Sequence, residues 1–332
     1  MQAQAVVCAA QGRVEFQTIT APEPGAEDVV LRTTHSWISN GTEGSFIRGE
    51  RIAGDTPRAA SEPLPFPLVS GYQKVGVVEW VGSGVSDLRV GETVFATVSR
   101  VSGMFFGDGG HVSPAVTHRS QVWKLPAGLD PLAASGLVLT QVGYNVGIRP
   151  QAAAGDAAIV LGDGMVGHWA AQTLQHRGLR VLLAGKHDER LSLWKLRAGD
   201  RTVNVSREDL SAIVMEWAPS GVQVVADTVG SVSAVEALFP RMRRFGQVVS
   251  AGFCGADGRI DIQKMRNYEM TLHTPAGWTK ERMDATLELL NRGVLETLPL
   301  ITHRFPASQA AEAYHLILSR QAPVLGVILD WD

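Results

Sequence analysis

Over the first 130 residues, apolar positions come in short runs that polar or turn-forming residues keep interrupting. Ala3–Ala9, Val29–Thr34, Gly76–Val81, Glu92–Val98 and Gln121–Leu125 are runs of this kind, bounded by Gly, Pro, Asp and Ser. Short β-rich runs with such punctuation predict strands. Arg51–Pro67 has no period and holds Gly54, Pro57, Pro63, Pro65 and Pro67, so it reads as a long loop, the kind that often serves function.

From Pro131 the pattern changes. Apolar runs Ala157–Leu161, Val181–Ala184, Thr202–Val205, Val222–Asp227 and Gln247–Ala251 predict strands. Between them, Val166–Arg177, Glu189–Ala198, Leu210–Trp217 and Ser233–Arg243 carry helical spacing. Strictly alternating strand and helix implies an α/β fold with a doubly wound parallel sheet, helices covering both faces. Lys280–Arg292 and Ala307–Arg320 read as helices, and Val324–Leu329 as a strand returning to the first domain. The expected organisation is one β-rich domain made of 1–130 and 280–332, interrupted by an α/β domain over 131–279.

Composition narrows the function classes. The chain has 332 residues, 45% hydrophobic and 19% charged, which suits a packed core rather than disorder. A net charge of −3 provides no basic field for a nucleic-acid backbone. No apolar run approaches the ~18 residues of a membrane span, and the N-terminus lacks the charged and apolar regions of a signal peptide. A cytoplasmic protein is expected. With only two cysteines, Cys8 and Cys254, neither a disulfide scaffold nor a Cys-rich zinc site can form.

The chemically informative stretch is Gly162-Asp163-Gly164-Met165-Val166-Gly167, which follows one predicted strand, opens a helix and precedes a second strand. In that context G-x-G-x-x-G is a dinucleotide fingerprint of a Rossmann domain. Gly162 permits the turn, Gly164 lets a pyrophosphate approach, and Gly167 lets the helix pack on the strand. The helix start at Met165 and Val166 offers free N–H groups to the anion. NAD sites place an acid at the end of the second strand for the ribose 2′-hydroxyl. Here Gly185 and Lys186 stand there, a small residue and a cation, which suits the 2′-phosphate of NADP better, with NAD the alternative.

Several further strings resemble the medium-chain dehydrogenase/reductase superfamily. Gly71-Tyr72-Gln73-Lys74-Val75-Gly76-Val77-Val78 is similar to its G-H-E-x-x-G-x-V stretch. Val85–Val94 is similar to its V-x-x-x-x-x-G-D-x-V turn, Gly109-Gly110-His111-Val112 to its G-G-x-A segment, and Val224–Gly230 to its fourth Rossmann strand. Ser36-Trp37-Ile38-Ser39-Asn40-Gly41-Thr42-Glu43 resembles the S-x-I-S-x-G-T-E string of a zinc-lacking branch that includes the bacteriochlorophyllide dehydrogenases, and Ile328-Leu329-Asp330-Trp331 also resembles that group. The resemblance implies a GroES-like catalytic domain beside the Rossmann domain. It also implies hydride transfer between a nicotinamide and a small-molecule substrate, and a homo-oligomer, expected to be a dimer.

Zinc members of the superfamily use a Cys, a His and a third Cys or acid. Either Ser39 or Asn40 occupies the position of the first ligand here, depending on the anchor chosen. Tyr72 and Gln73 replace the His and Glu, and Gly136–Gly143 holds no Cys, His, Asp or Glu. The expectation is that no catalytic zinc binds there. A hydroxyl or imidazole close to the substrate could then partly replace the metal. Tyr72 is the first candidate, Ser39 the second, and Thr42 a relay. His35, His111 and His118 are weaker candidates, since a lone His beside strands is more often a hydrogen-bonded structural residue. By the same resemblance Ala251, Gly252 and Phe253 pass the nicotinamide, and Trp278 walls the substrate. The expected activity is a zinc-independent NAD(P)-dependent oxidation of a secondary alcohol or reduction of a ketone, on a sugar, cyclitol or pigment side chain. A zinc-free enoyl or quinone reductase and a non-catalytic NADP-binding sensor or structural protein are the alternatives, because fold alone does not decide chemistry.

Overall fold

A computed structural model describes residues 1–331. The chain forms two compact units, Met1–Val138 with Thr297 onward, and Leu139–Glu296. The boundaries expected at 130/131 and 279/280 therefore lie further along the chain. The helix Lys280–Asn291 belongs to the second unit, burying Met283, Leu287 and Leu290.

In the first unit the strands Val122–Lys124, Thr93–Ala96, Lys74–Val81, Asp28–Ile38, Gly326–Asp330 and Ile301–Pro306 lie side by side in that order. The strand Asp28–Ile38 pairs antiparallel with Gly326–Asp330, Trp37 opposite Ile328, so that strand fills the place between Asp28–Ile38 and Ile301–Pro306. A smaller sheet joins Gln2–Ala10 to Arg13–Thr20, Val112–Ser113 and Leu68–Val69. The strand Arg13–Thr20 escapes a search for apolar runs because only Ile19 of its eight residues is buried. Trp37 is fully buried, and added Cβ atoms at Gly136 and Gly326 would meet its ring at 2.7 and 2.5 Å. Those two positions need glycine to seat the indole, whose burial is worth roughly 2–3 kcal/mol by area. The Arg51–Pro67 segment is a loop with a small hairpin, Arg51–Ala53 against Thr56–Pro57. Arg51 anchors it from the inside, its guanidinium donating to Ser45 Oγ and the Gly54 carbonyl.

In the second unit six parallel strands among the described residues run in the order Arg201–Asn204, Arg180–Gly185, Ala157–Leu161, Val222–Asp227, Met242–Ser250 and Thr271–His273. All five residues of Ala157–Leu161 are buried, as a strand covered on both faces requires. The helix expected over Ser233–Arg243 stops at Ala237, because Pro240 cannot continue it, and the chain re-enters the sheet at Met242. The helix expected over Glu189–Ala198 shortens to Asp188–Leu191.

Candidate active site

In the first unit, the strand Asp28–Ile38 ends at Ser39, which precedes the helix Asn40–Ile47. That junction sets Ser39, Thr42 and Glu43 on one short turn. Tyr72 enters from the segment before the strand Lys74–Val81, and its hydroxyl is hydrogen-bonded to the side chains of Ser39 and Thr42. The three residues expected to handle a proton thus meet in one cluster. Burial pushes the Tyr72 phenol up to about 12, and the two hydroxyl partners oppose that rise only in part. Below pH ~10 Tyr72 is therefore a hydrogen-bond donor and a proton source, not a base.

Glu43 organises the layer behind this cluster. Its carboxyl is buried and accepts from the Ser39 N–H at 2.6 Å, from His111 Nε2 at 3.0 Å and from the Tyr314 hydroxyl. The Tyr314 hydroxyl also lies 3.0 Å from Ser70 Oγ. Burial and the neighbouring Glu43 push the Tyr314 phenol well above the usual range. His111 is fully buried, and among the described residues its Nδ1 finds no hydrogen-bond partner. Its ring lies where a Cβ at Gly71 would stand, 2.5 Å away, and Gly71 has φ +81°, so glycine is required there twice over. The other two histidines have local duties. His35 Nδ1 pairs with Asp330 at 2.9 Å, and His118 accepts from the Ser120 N–H. Burial pushes the Cys8 thiol up, with Glu43 adding to the shift, which makes Cys8 inert.

The residues at the positions of zinc ligands do not fit that metal. Asn40 donates through Nδ2 to the Leu325 carbonyl at 2.7 Å, and Gln73 through Nε2 to the Trp37 carbonyl at 3.2 Å. Tyr72 is engaged with Ser39 and Thr42. Neutral amides and a high-pKa phenol do not make the Cys, His and carboxylate set that zinc needs. No group of three or more His, Cys, Asp or Glu side chains among the described residues could hold a metal ion.

In the second unit the candidate cofactor residues gather at the carboxyl ends of the parallel strands, the usual ligand edge of such sheets. Gly162 has φ +118°, and a Cβ at Gly167 would stand 1.9 Å from the Gly162 carbonyl, so both positions demand glycine for the turn itself. Gly164 is different. A Cβ there would meet nothing within 4 Å, which leaves open space over the first turn of the helix Met165–His176. That opening beside uncapped helix N–H groups is a cradle that fits a pyrophosphate.

Gly185 carries another meaning than the one expected. A Cβ there would stand 2.3 Å from Asp163 Cβ and 2.5 Å from its Oδ2, so Gly185 makes room for Asp163. Asp163 Oδ2 accepts from the Lys186 N–H at 2.7 Å, the His187 N–H at 2.8 Å and His187 Nδ1 at 2.9 Å. The Lys186 side chain is exposed. Gly252 likewise is close-packed for an internal reason, its would-be Cβ falling 1.9 Å from the Gly230 nitrogen. Asp227 holds that neighbouring turn through the N–H groups of Val229, Gly230 and Ser231. Ala251 joins the same stitching through its N–H to the Asp227 carbonyl, followed by half-buried Phe253. Trp278 lies half buried after the last strand of this sheet.

A β-rich unit with a hydroxyl cluster, joined to a Rossmann unit with an open glycine turn, is the plan of a nicotinamide-dependent oxidoreductase. Comparison with known proteins agrees. Residues 165–292 match the family model described as zinc-binding dehydrogenase. The 2-desacetyl-2-hydroxyethyl bacteriochlorophyllide A dehydrogenase of Cereibacter sphaeroides is 29% identical, over 100% of this chain and 99% of the relative. A protein of Sinorhizobium meliloti 1021 bound to NADP superposes with a TM-score of 0.84 at 20% identity, covering 99% of each chain. An alcohol dehydrogenase of Escherichia coli CFT073 complexed with NADH gives 0.83, also at 20% identity and 99% of each chain. These likenesses together support a medium-chain dehydrogenase/reductase. No helix among the described residues is long and apolar enough to cross a membrane.

Proposed function

We propose that this protein is a zinc-independent oxidoreductase. It moves a hydride between a nicotinamide dinucleotide and a secondary alcohol or ketone of a small molecule, a sugar, cyclitol or pigment side chain. The observation that carries the reading is the Tyr72 hydroxyl hydrogen-bonded to Ser39 and Thr42 where zinc members place a ligand. When bound, the nicotinamide supplies or accepts the hydride. Tyr72 supplies the matching proton to the carbonyl oxygen in the reductive direction. Ser39 and Thr42 orient that proton and return one to the phenolate, and Glu43 holds Ser39 through its backbone N–H. A phenol pushed up to about 12 stays protonated at neutral pH, so it is in the form that ketone reduction uses. Ala251, Gly252, Phe253 and Trp278 remain the candidates to line the nicotinamide and substrate. The exposed edge strand Thr271–His273, with Leu272 uncovered, is where a second copy would add in the expected homodimer.

The test is turnover on a panel of ketones, polyols and enones, for the wild type before and after chelation and for Tyr72→Phe. Chelation should leave activity intact. Tyr72→Phe should lower ketone turnover ~10²–10⁴-fold without changing cofactor affinity. Near-wild-type turnover of Tyr72→Phe, or activity that chelation abolishes and zinc restores, would refute the proposal. Turnover of enones alone would favour a reductase of conjugated double bonds.

A further inference from the structure

We propose that Asp163 selects the form of the dinucleotide: its carboxylate replaces the missing strand-end acid, accepts the ribose 2′-hydroxyl and turns away a 2′-phosphate. This inference rests on the nicotinamide-dinucleotide reading above, and it reverses the preference for NADP suggested by Gly185 and Lys186.

Three observations carry it. The first is position. An acid for the ribose normally extends from the end of the second strand, and that end here is Gly185. The space a side chain would enter from Gly185 is occupied by the Asp163 side chain, its carboxyl oxygen 2.5 Å from the would-be Cβ. The carboxylate arrives from the glycine turn, 22 positions earlier in the chain, at the place where the strand lacks one.

The second is donor use. A 2′-phosphate is held by N–H groups and cations beside the strand end. The Lys186 and His187 N–H groups and His187 Nδ1 already donate to Asp163 Oδ2. Asp163 Oδ1 meets only the Arg190 guanidinium, at a long 3.4 Å, among the described residues. One oxygen is thus committed to the protein, and the other keeps capacity to accept from a hydroxyl.

The third is charge. Burial alone would raise the Asp163 carboxyl, but hydrogen bonds from His187 and Lys186 outweigh it and hold it below the usual aspartate range. Asp163 is 6% exposed whereas the Lys186 side chain lies in solvent, so the negative charge is screened less than the positive one. Burial pushes nearby His168 down to about 4, so that imidazole adds no cation at neutral pH.

The experiment is fluorescence titration of the full chain with NADH and with NADPH. The wild type should bind NADH roughly ten-fold or more tightly than NADPH, and that ratio needs no variant. Asp163→Asn keeps the shape and an acceptor for the N–H groups while removing the charge. It should shift the ratio toward NADPH by about ten-fold or more, a charge-assisted hydrogen bond at the weak end of its range. Exchanging the residues, Asp163→Gly with Gly185→Asp, should restore the preference for NADH, which a merely structural role for Asp163 does not foresee. Equal or tighter wild-type binding of NADPH, or equal loss of both forms in Asp163→Asn, would overturn this inference alone. Failure of the wild type to bind either form would overturn the dinucleotide reading and this inference with it.

Discussion

Replacing Glu43 by alanine removes the one acceptor shared by Ser39, His111 and Tyr314. The Ser39 N–H at 2.6 Å and His111 Nε2 at 3.0 Å lose the partner described for them, whereas the Tyr314 hydroxyl keeps Ser70 Oγ at 3.0 Å. A buried donor left unsatisfied costs ~1–3 kcal/mol, so two of them put the loss at about 2–6 kcal/mol. Tyr314→Phe leaves the carboxyl with its other two donors and should cost about 1–2 kcal/mol. Because both substitutions break the same network, the double variant should fall short of the sum by about 0.5–3 kcal/mol. Urea unfolding followed by tryptophan fluorescence measures all three, with slopes compared to exclude a change in the unfolded state. A Glu43→Ala loss under ~1 kcal/mol, or strict additivity with Tyr314→Phe, would show that these contacts do not act as one unit.

Gly164→Val should fold like the wild type, because its Cβ points into open space, yet lose NADH and NADPH binding; unchanged affinity would displace the cofactor from this turn. Gly167→Ala should instead lower the melting temperature, since its Cβ would fall 1.9 Å from the Gly162 carbonyl, and an unaltered melt would contradict that packing. Lys74 is fully buried, and burial pulls its amine down to about 7, with Asp108 opposing. Between pH 7 and the ordinary lysine value of ~10.4 the unfolded chain binds the extra proton, so this residue makes stability rise with pH across that window. Lys74→Met should remove that rise, read as a wild-type melting temperature that gains on the variant from pH 7 to pH 9; parallel profiles would refute it.

What could be read from the sequence was what the backbone itself demands. The turn at Gly162 and Gly167 was legible because only glycine survives φ +118° or a 1.9 Å approach. Tyr72 was legible because a string that resembles the superfamily's sets it at a metal-ligand position, and Ser39 and Thr42 because they share the S-x-I-S-x-G-T-E string. Asp163 carries no signal between its two glycines, since its partners Lys186 and His187 lie beyond a helix and a strand. Tyr314 was invisible for a similar reason, being 271 positions from the Glu43 it touches, with nothing in its own helix to set it apart. Pro240 gave a signal that the apolar spacing of Ser233–Arg243 outweighed, and the structure resolves that conflict in favour of the proline.

The strand Gly326–Asp330, seated between Asp28–Ile38 and Ile301–Pro306, imposes an order on biosynthesis. Every strand of the Rossmann sheet leaves the ribosome before this one, so that unit can close while the β-rich unit still lacks one interior strand. Until Gly326–Asp330 emerges, the His35–Ile38 end of the strand Asp28–Ile38 keeps an unpaired edge, and such edges invite pairing with foreign strands. The hydroxyl cluster beginning at Ser39 follows directly on that late-paired end of the strand.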